Sequence, residues 1–344
     1  MRLICILIIL WNGNYCLAQE QQQPIITGIT MVAPPSPIGN VEIQEISAIS
    51  ANWIALVPYG FMTAAGTEIR YNLDRQWWGE KKVGIIKSIE LAHTAGLKVM
   101  LKPQVYIHGH WVGDVQFDSE SEWESWESSY RSYLRFYLDL AIAHDVEMLC
   151  IGTEWKQSVK QRPEFWKTII ADIRSEYKGK LIYCSNWDSY TEVPFWDDLD
   201  YVGISGYFPL SSRKTPTVHQ LKAAWLPTKK NLRKLYKKHK KPIVFAEYGY
   251  MSIDGCAGKA WLIEKDIPNR EVNEVAQARS YDALWAAHTG EKYWAGGFLW
   301  KWFPAGMGHE GYPEKDYTPQ NKKSYDVIKK WHQKANKADH HSIK

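Results

Sequence analysis

The sequence has few cysteines, and their number is odd in the part of the chain that follows an apolar leader. Five Cys occur in 344 residues; Cys5 and Cys16 fall in the leader, which leaves Cys150, Cys184 and Cys256. An odd number excludes a complete disulfide framework. Because Cys150 and Cys184 lie in apolar runs, where a thiol behaves as a small apolar group, we expect free thiols there rather than a pair.

Signatures of metal, cofactor and nucleic-acid binding are also lacking. No Cys/His spacing resembles a zinc site, so we expect no metal and no cofactor. The net charge is only +4, and its main basic run, Lys229–Lys241, reads as the solvated face of a helix. We therefore expect no nucleic acid among the partners.

Long hydrophobic runs are absent beyond the N-terminus. Residues 1–18 have a positive start at Arg2, a short apolar stretch and small residues before Gln19, which predicts a signal peptide and a secreted or periplasmic protein. The apolar stretch is too short to cross a bilayer. We expect no stable membrane insertion after its cleavage.

What is present is a repeated alternation of short apolar runs and helical patterns. The runs show little polar alternation, as expected for parallel strands buried on both faces. The predicted strands are Ile26–Val32, Trp53–Val57, Lys98–Pro103, Met148–Thr153, Leu181–Ser185, Tyr201–Ser205, Ile243–Ala246 and Gly297–Trp300. The predicted helices are Trp78–Ala95, Ser121–Ala143, Pro163–Tyr177, Val218–His239, Asn273–Thr289 and Gln320–Lys334.

Eight predicted strands in alternation with helical segments predict a single-domain α/β protein, a (β/α)8 TIM barrel over residues 19–334. An open doubly wound sheet is the alternative, but the first strand lacks the Gly-rich phosphate loop usual there. Two insertions, Tyr106–Glu120 and Met251–Arg270, follow the third and seventh strands. Residues 335–344 are polar, and we expect them to be disordered.

The chain is rich in aromatic residues, with 18 Trp and 20 Tyr. Several of these fall at strand ends or in loops, where flat rings would stack on sugar C–H faces. Core packing remains the better explanation of any single Trp. As a group, however, they favour a carbohydrate cleft.

Two buried strands each end in a glutamate, Glu154 in LCIGTEW and Glu247 in PIVFAEYG. A carboxylate at such a position is costly unless it is solvated or paired. Two of them at one barrel mouth match the needs of glycoside hydrolysis, one protonated and one ionised. We expect the Glu247 charge and burial against Trp155 to raise the pKa of Glu154.

The sequence resembles the clan A glycoside hydrolases, and within them the family 113 β-mannanases. The segments that carry the resemblance are IGTEW, Leu181–Leu210, PIVFAEYGY and Gly296–Pro304. The resemblance implies an endo-acting, retaining enzyme that hydrolyses β-1,4-mannosidic bonds in a mannan polysaccharide or oligosaccharide. It also implies Glu154 as acid/base at strand four and Glu247 as nucleophile at strand seven.

Thr153 departs from the pattern of the clan. Most clan members have an asparagine just before the acid/base, and that asparagine contacts the 2-hydroxyl of the sugar. The clan also holds a tyrosine near the nucleophile, here Tyr207, and a stacking platform on the eighth strand, here Trp300. The other predicted substrate-binding residues, placed by their positions at strand ends and in the first insertion, are Asn186, Trp187, Lys102 and Trp111.

Three alternatives stay open. The first is a retaining β-glycosidase for another glycan, such as β-glucan or xylan. The second is a non-catalytic glycan-binding barrel, although such a protein would not need both carboxylates. The third, a metal-dependent hydrolase, lacks the expected His/Asp ligands at strand ends.

Overall fold

A computed structural model of the protein describes residues 24–304 and 312–341. The strands are β1 (Ile26–Met31), β2 (Trp53–Leu56), β3 (Tyr59–Met62), β4 (Lys98–Leu101), β5 (Gln104–Ile107), β6 (Met148–Thr153), β7 (Lys180–Asn186), β8 (Tyr201–Ser205), β9 (Ile243–Tyr248) and β10 (Trp294–Trp302). All except β3 and β5 close into a parallel barrel, in the order β1-β2-β4-β6-β7-β8-β9-β10. The (β/α)8 fold and its eight predicted strands are confirmed.

The barrel interior is filled with side chains. Inward-facing residues such as Met100, Met148 and Phe298 form one buried cluster. At Gly28 the Phe298 ring comes so close that a Cβ would lie 2.3 Å from its Cδ1, so only glycine fits there. Such a packed interior leaves no pore, and the fold presents its chemistry at the mouth.

Helices cover the outside of the barrel and bury the outward-facing side chains of the strands. They are α1 (Asn40–Ala48), α2 (Lys82–Thr94), α3 (Glu120–Ala143), α4 (Lys156–Gln161), α5 (Pro163–Glu176), α6 (Val218–Ala224), α7 (Leu226–His239), α8 (Ala260–Ile263), α9 (Glu274–His288) and α10 (Ser324–His341). Short 3-10 turns occur at Trp78–Glu80, Val112–Asp114, Trp196–Asp198, Glu264–Asn269 and Pro313–Lys315.

One predicted helix, Val218–His239, is in fact two. Helix α6 ends at Ala224 and α7 begins at Leu226, with Pro227 in its first turn. Proline has no N–H to continue a helix and its ring clashes with the preceding turn, so the chain restarts there.

The predicted disorder from residue 335 is wrong up to His341, because α10 continues to that residue. The helix is anchored at the N-terminal end of the barrel, where Asn336 Nδ2 donates to Ser50 O at 3.0 Å and Asn336 Oδ1 accepts from Asn52 Nδ2 at 3.3 Å. The predicted signal peptide, residues 1–18, lies outside the described residues. Within the described residues, no helix is both long and apolar enough to cross a membrane.

Strands β3 and β5 extend two barrel strands beyond the mouth. Pro58 and Pro103 interrupt β2 and β4, and the chain then pairs again in parallel, with Tyr59 opposite Gln104. Proline cannot donate to the ladder, which explains why each barrel strand ends before it. This small sheet carries Tyr59 and Gln104 to the edge of the mouth.

Trp166 packs in the core between the barrel and its outer helices, and its contribution to stability can be measured. Its ring is fully buried, 5.3 Å from that of Tyr130 and 5.4 Å from that of Tyr183, and its Nε1 donates to Ser158 Oγ at 3.0 Å. Trp166→Ala should lower the free energy of unfolding by about 3–5 kcal/mol, because it leaves a cavity and an unpaired hydroxyl. Urea denaturation measures this; the exposed control Val41→Ala should change it by less than about 0.5 kcal/mol, and equal effects would contradict the packing account.

Candidate active site

Both glutamates lie at the carboxyl ends of barrel strands. Glu247 is within β9, and Glu154 is the residue that follows β6. Because all the barrel strands are parallel, these ends meet at one mouth, the face on which TIM-barrel sites lie.

Glu247 is buried and surrounded by hydrogen-bond donors. Lys102 Nζ forms an ion pair with Oε1, and Gln104 Nε2 donates to the same oxygen at 2.6 Å. Tyr207 Oη donates to Oε2 at 3.0 Å. Donors on both oxygens fix the orientation of this carboxyl group.

Lys102 is fully buried, which is unusual for a lysine. Burial by itself disfavours its charge, but the adjacent Glu247 carboxylate outweighs that effect and raises the pKa of Lys102 above its ordinary value. The ammonium also lies 5.9 Å from the centre of the Trp300 ring. The ion pair and the aromatic face together keep a positive charge beneath the mouth.

Glu154 sits in a different environment. Its φ of 60° is in the left-handed region, and its N–H donates to Cys184 O on the neighbouring strand β7 at 2.7 Å. Non-glycine residues seldom adopt this backbone, and here it turns the chain off the strand at the mouth. Trp111 Nε1 donates to Glu154 Oε2 at 2.6 Å.

Burial raises the pKa of the Glu154 carboxyl group above its ordinary value, and the negative charge of Glu247 adds to the rise. Hydrogen bonds from Ser205 and Trp111 oppose it without cancelling it. The raised pKa expected from the sequence is therefore found, and it favours the protonated form of the Glu154 carboxyl group.

The other predicted residues are spread over the same mouth. Tyr207 and Lys102 contact Glu247, and Trp111 contacts Glu154, as described above. Thr153 is buried, with its hydroxyl 3.8 Å from the Cys150 thiol. Asn186 and Trp187 follow one another at the end of β7, where Asn186 Nδ2 donates to Asp188 at 3.2 Å. All three cysteines in the described part of the chain are free and buried, as expected.

A cavity of about 740 Å3 lies on the side of β1, β2 and β10, and neither glutamate lines it. Five of its fifteen lining residues are aromatic, and it also has a buried carboxyl group, that of Glu80. Trp300 belongs to this wall, which links the cavity to the Lys102–Glu247 pair. Its aromatic residues are Tyr59, Phe61, Trp77, Tyr106 and Trp300.

Sequence reasoning missed Gln104 and Ser205. Gln104 lies two residues beyond Lys102 in extended chain, and residues i and i+2 of a strand share a face, so that spacing is a signal that could have found it. Ser205 ends β8 between the strands of the two glutamates. Within residues 24–304 and 312–341 there is no group of three or more His, Cys, Asp or Glu side chains that could hold a metal ion.

A (β/α)8 barrel with two glutamates in different surroundings at its mouth fits the glycoside hydrolase class of enzyme, which uses two carboxyl groups. The sequence model of Glycoside Hydrolase Family 113 matches residues 36–330, most of the chain. The chain therefore belongs to glycoside hydrolase family 113.

Solved structures agree with this assignment. The family 113 β-mannanase AaManA from Alicyclobacillus acidocaldarius, in complex with ManMIm, is 27% identical over 91% of this chain and 98% of its own, with a TM-score of 0.79. A complex structure of a family 113 β-1,4-mannanase is 25% identical over 90% of this chain and 99% of its own, with a TM-score of 0.75.

More distant structures share the fold alone. A β-glucuronidase from an uncultured Clostridium species is 17% identical over 90% of this chain and 50% of its own, with a TM-score of 0.62. A search of curated protein sequences found no match.

The burial of the Lys102–Glu247 ion pair leads to a prediction for the free energy of unfolding. Lys102→Met leaves a buried carboxylate without its cation and should lower the free energy of unfolding by about 3–5 kcal/mol. Adding Glu247→Gln removes the unpaired charge and should recover much of the loss. Denaturation of both variants measures this, and Lys98→Met, at the exposed start of the same strand, is the matched control. A double variant as unstable as the single one would contradict the account.

Proposed function

We propose that this glycoside hydrolase is a retaining endo-β-1,4-mannanase acting on mannan or manno-oligosaccharides through a glycosyl-enzyme intermediate. The proposal rests mainly on one observation: Glu247 and Glu154 lie at the same barrel mouth, but their surroundings differ. Glu247 has a buried cation and two further donors, whereas burial and the charge of Glu247 raise the pKa of Glu154. One group is prepared to attack and the other to donate a proton.

In the first step Glu247 attacks the anomeric carbon, and the bond to the leaving oxygen breaks as Glu154 gives that oxygen its proton. Lys102, Gln104 and Tyr207 orient Glu247 for attack. Once the ester forms, the Glu247 charge is consumed, and with it one cause of the raised pKa of Glu154. Glu154 then takes a proton from water, whose oxygen attacks the anomeric carbon and releases Glu247. Two inversions retain the configuration.

The choice of mannan rests on the relatives. Both family 113 structures compared above are named β-mannanases and align over nearly all of their own length. The aromatic cavity beside Trp300 supports binding of sugar rings on the side of the nucleophile, and Asn186 and Thr153 are proposed as hydroxyl-binding residues. We also propose a secreted or periplasmic location, which N-terminal sequencing of the mature protein would test at Gln19.

The proposal predicts release of manno-oligosaccharides from β-1,4-mannan, with the newly formed reducing end first appearing in the β configuration by proton NMR. Glu247→Ala should lower kcat by about 10⁴-fold or more, because the nucleophile is lost. The exposed Glu164→Ala is the control and should leave kcat unchanged.

Each other outcome contradicts a different part of the proposal. Activity on cellulose oligosaccharides or xylan instead of mannan would reject the substrate and keep the mechanism. An α-configured first product would reject retention. Binding of mannan without cleavage by the wild type would favour a non-catalytic glycan-binding barrel.

The acid/base role predicts a change in pH dependence when Trp111 is altered. The Trp111 hydrogen bond favours the ionised form of Glu154 and so lowers its pKa. Trp111→Phe removes that bond, should raise the pKa of Glu154 further, and should move the basic limb of kcat/KM to higher pH. The control His110→Ala changes the neighbouring exposed side chain. A basic limb that stays in place or moves down would contradict Glu154 as the acid.

A further inference from the structure

Two tryptophans from separate segments stack on one another at the mouth. Trp187 follows β7, and Trp261 is on α8, within the insertion after β9. Their ring centres are 5.3 Å apart and their planes 14° apart. Trp261 is nevertheless 39% exposed, a large accessible area for an indole. We call these two residues the aromatic pair.

The strand order locates the aromatic pair along the path of a substrate. Glu154 follows β6 and Glu247 is in β9, so β7 and β8 separate them on one side, and β4, β2, β1 and β10 on the other. A glycan that passes between the two carboxyl groups therefore crosses the rim over β7 and β8 at one end. It crosses over β1 and β2 at the other. The aromatic pair stands at the β7–β8 end.

Contacts of Glu247 identify which end holds which part of the substrate. The ammonium of Lys102, its ion-pair partner, faces Trp300, and Trp300 lines the cavity on the β1–β2 side. The sugar that bonds to Glu247 is thus continuous with that cavity. The leaving group must then lie over β7 and β8, where the aromatic pair is.

Polar groups surround the aromatic pair on the side of Glu154. Lys156, two residues after Glu154, donates to Asp188 Oδ2 at 3.2 Å, and Asn186 donates to Asp188 Oδ1 at 3.2 Å. These side chains are partly exposed and can exchange hydrogen bonds with sugar hydroxyls. A flat apolar face with a polar rim fits a pyranose ring.

We propose that Trp187 and Trp261 form a platform that binds the first sugars of the leaving group, a β-linked mannosyl chain, and thereby sets which bond is cut. The proposal rests on the proposed function and extends it to a residue of the β9–α9 insertion. Because the same place holds an acceptor sugar after the first step, the platform also favours transfer to sugar over transfer to water.

The need to hold α8 in place does not by itself explain why position 261 carries an exposed tryptophan. The segment is already fixed by the buried Ile263, by a hydrogen bond from Tyr317 Oη to Glu264 Oε1 at 2.5 Å, and by Lys315 Nζ, which donates to Ile267 O at 3.3 Å. The exposed indole adds little to that attachment, whereas a ligand would cover it.

The experiment compares two substrates with the purified enzyme. Mannohexaose places sugars over β7 and β8, whereas β-mannobiosyl fluoride, whose leaving group is a fluoride ion, places no ring there. Trp261→Ala should lower kcat/KM for mannohexaose about tenfold, largely through KM, and leave the fluoride substrate within about twofold. Trp261→Phe, which keeps a ring, should recover most of the loss. With mannobiose added as acceptor, Trp261→Ala should also yield less transfer product.

Leu262→Ala, on the same helix and 51% exposed, is the matched control and should behave as the wild type on both substrates. An unchanged ratio between the two substrates in Trp261→Ala overturns the platform, whether both rates stay or both fall. If the wild type cleaves neither mannoside, the proposed function fails. Calorimetry with mannohexaose then decides on the platform, because weaker binding by Trp261→Ala supports it and equal binding overturns it.

Discussion

The site depends on the buried ion pair between Lys102 and Glu247. Taking an ammonium and a carboxylate out of water costs several kcal/mol each, and only close contact with further donors compensates for it. Lys102 comes from the end of β4 and Glu247 from β9, on separate arcs of the barrel mouth. The pair therefore exists only when the barrel is closed, and its geometry links the closure of the barrel to the position of one carboxyl group.

Burial raises the pKa of the second carboxyl group, that of Glu154, and the charge of Glu247 adds to the rise. Among the residues that the structure describes, Glu154 has no ion-pair partner; Trp111 and Ser205 are neutral donors to it, and Lys102 acts on it through its charge alone. Its left-handed backbone directs the chain off the strand and into α4, so the residue after the carboxylate, Trp155, is buried in the aromatic layer. Two residues of the same type thus acquire opposite properties from their partners, which is what acid and nucleophile require.

The sequence was sufficient to predict the barrel and both glutamates because buried parallel strands are continuous apolar runs, and a carboxylate at the end of such a run stands out. Gln104 and the β3–β5 pair were missed because a proline hides the continuation of each strand. Trp261 was missed because a four-residue helix has no periodicity. The end of α10 was missed because its polar residues, such as Asn336, bond to the barrel floor rather than to solvent, and only the tertiary fold reveals that.

The site residues come from two kinds of segment, the ends of barrel strands and the two insertions, and these differ in burial. Lys102, Glu247 and Tyr207 follow or end strands whose neighbours are fully buried, so a change there disturbs the core as well as the chemistry. Trp111 and Trp261 come from the two insertions and are partly exposed, so their side chains can vary at little cost to folding. The proposed platform residue Trp261 thus lies on a segment outside the barrel, whereas Trp111 brings the other insertion into direct contact with Glu154.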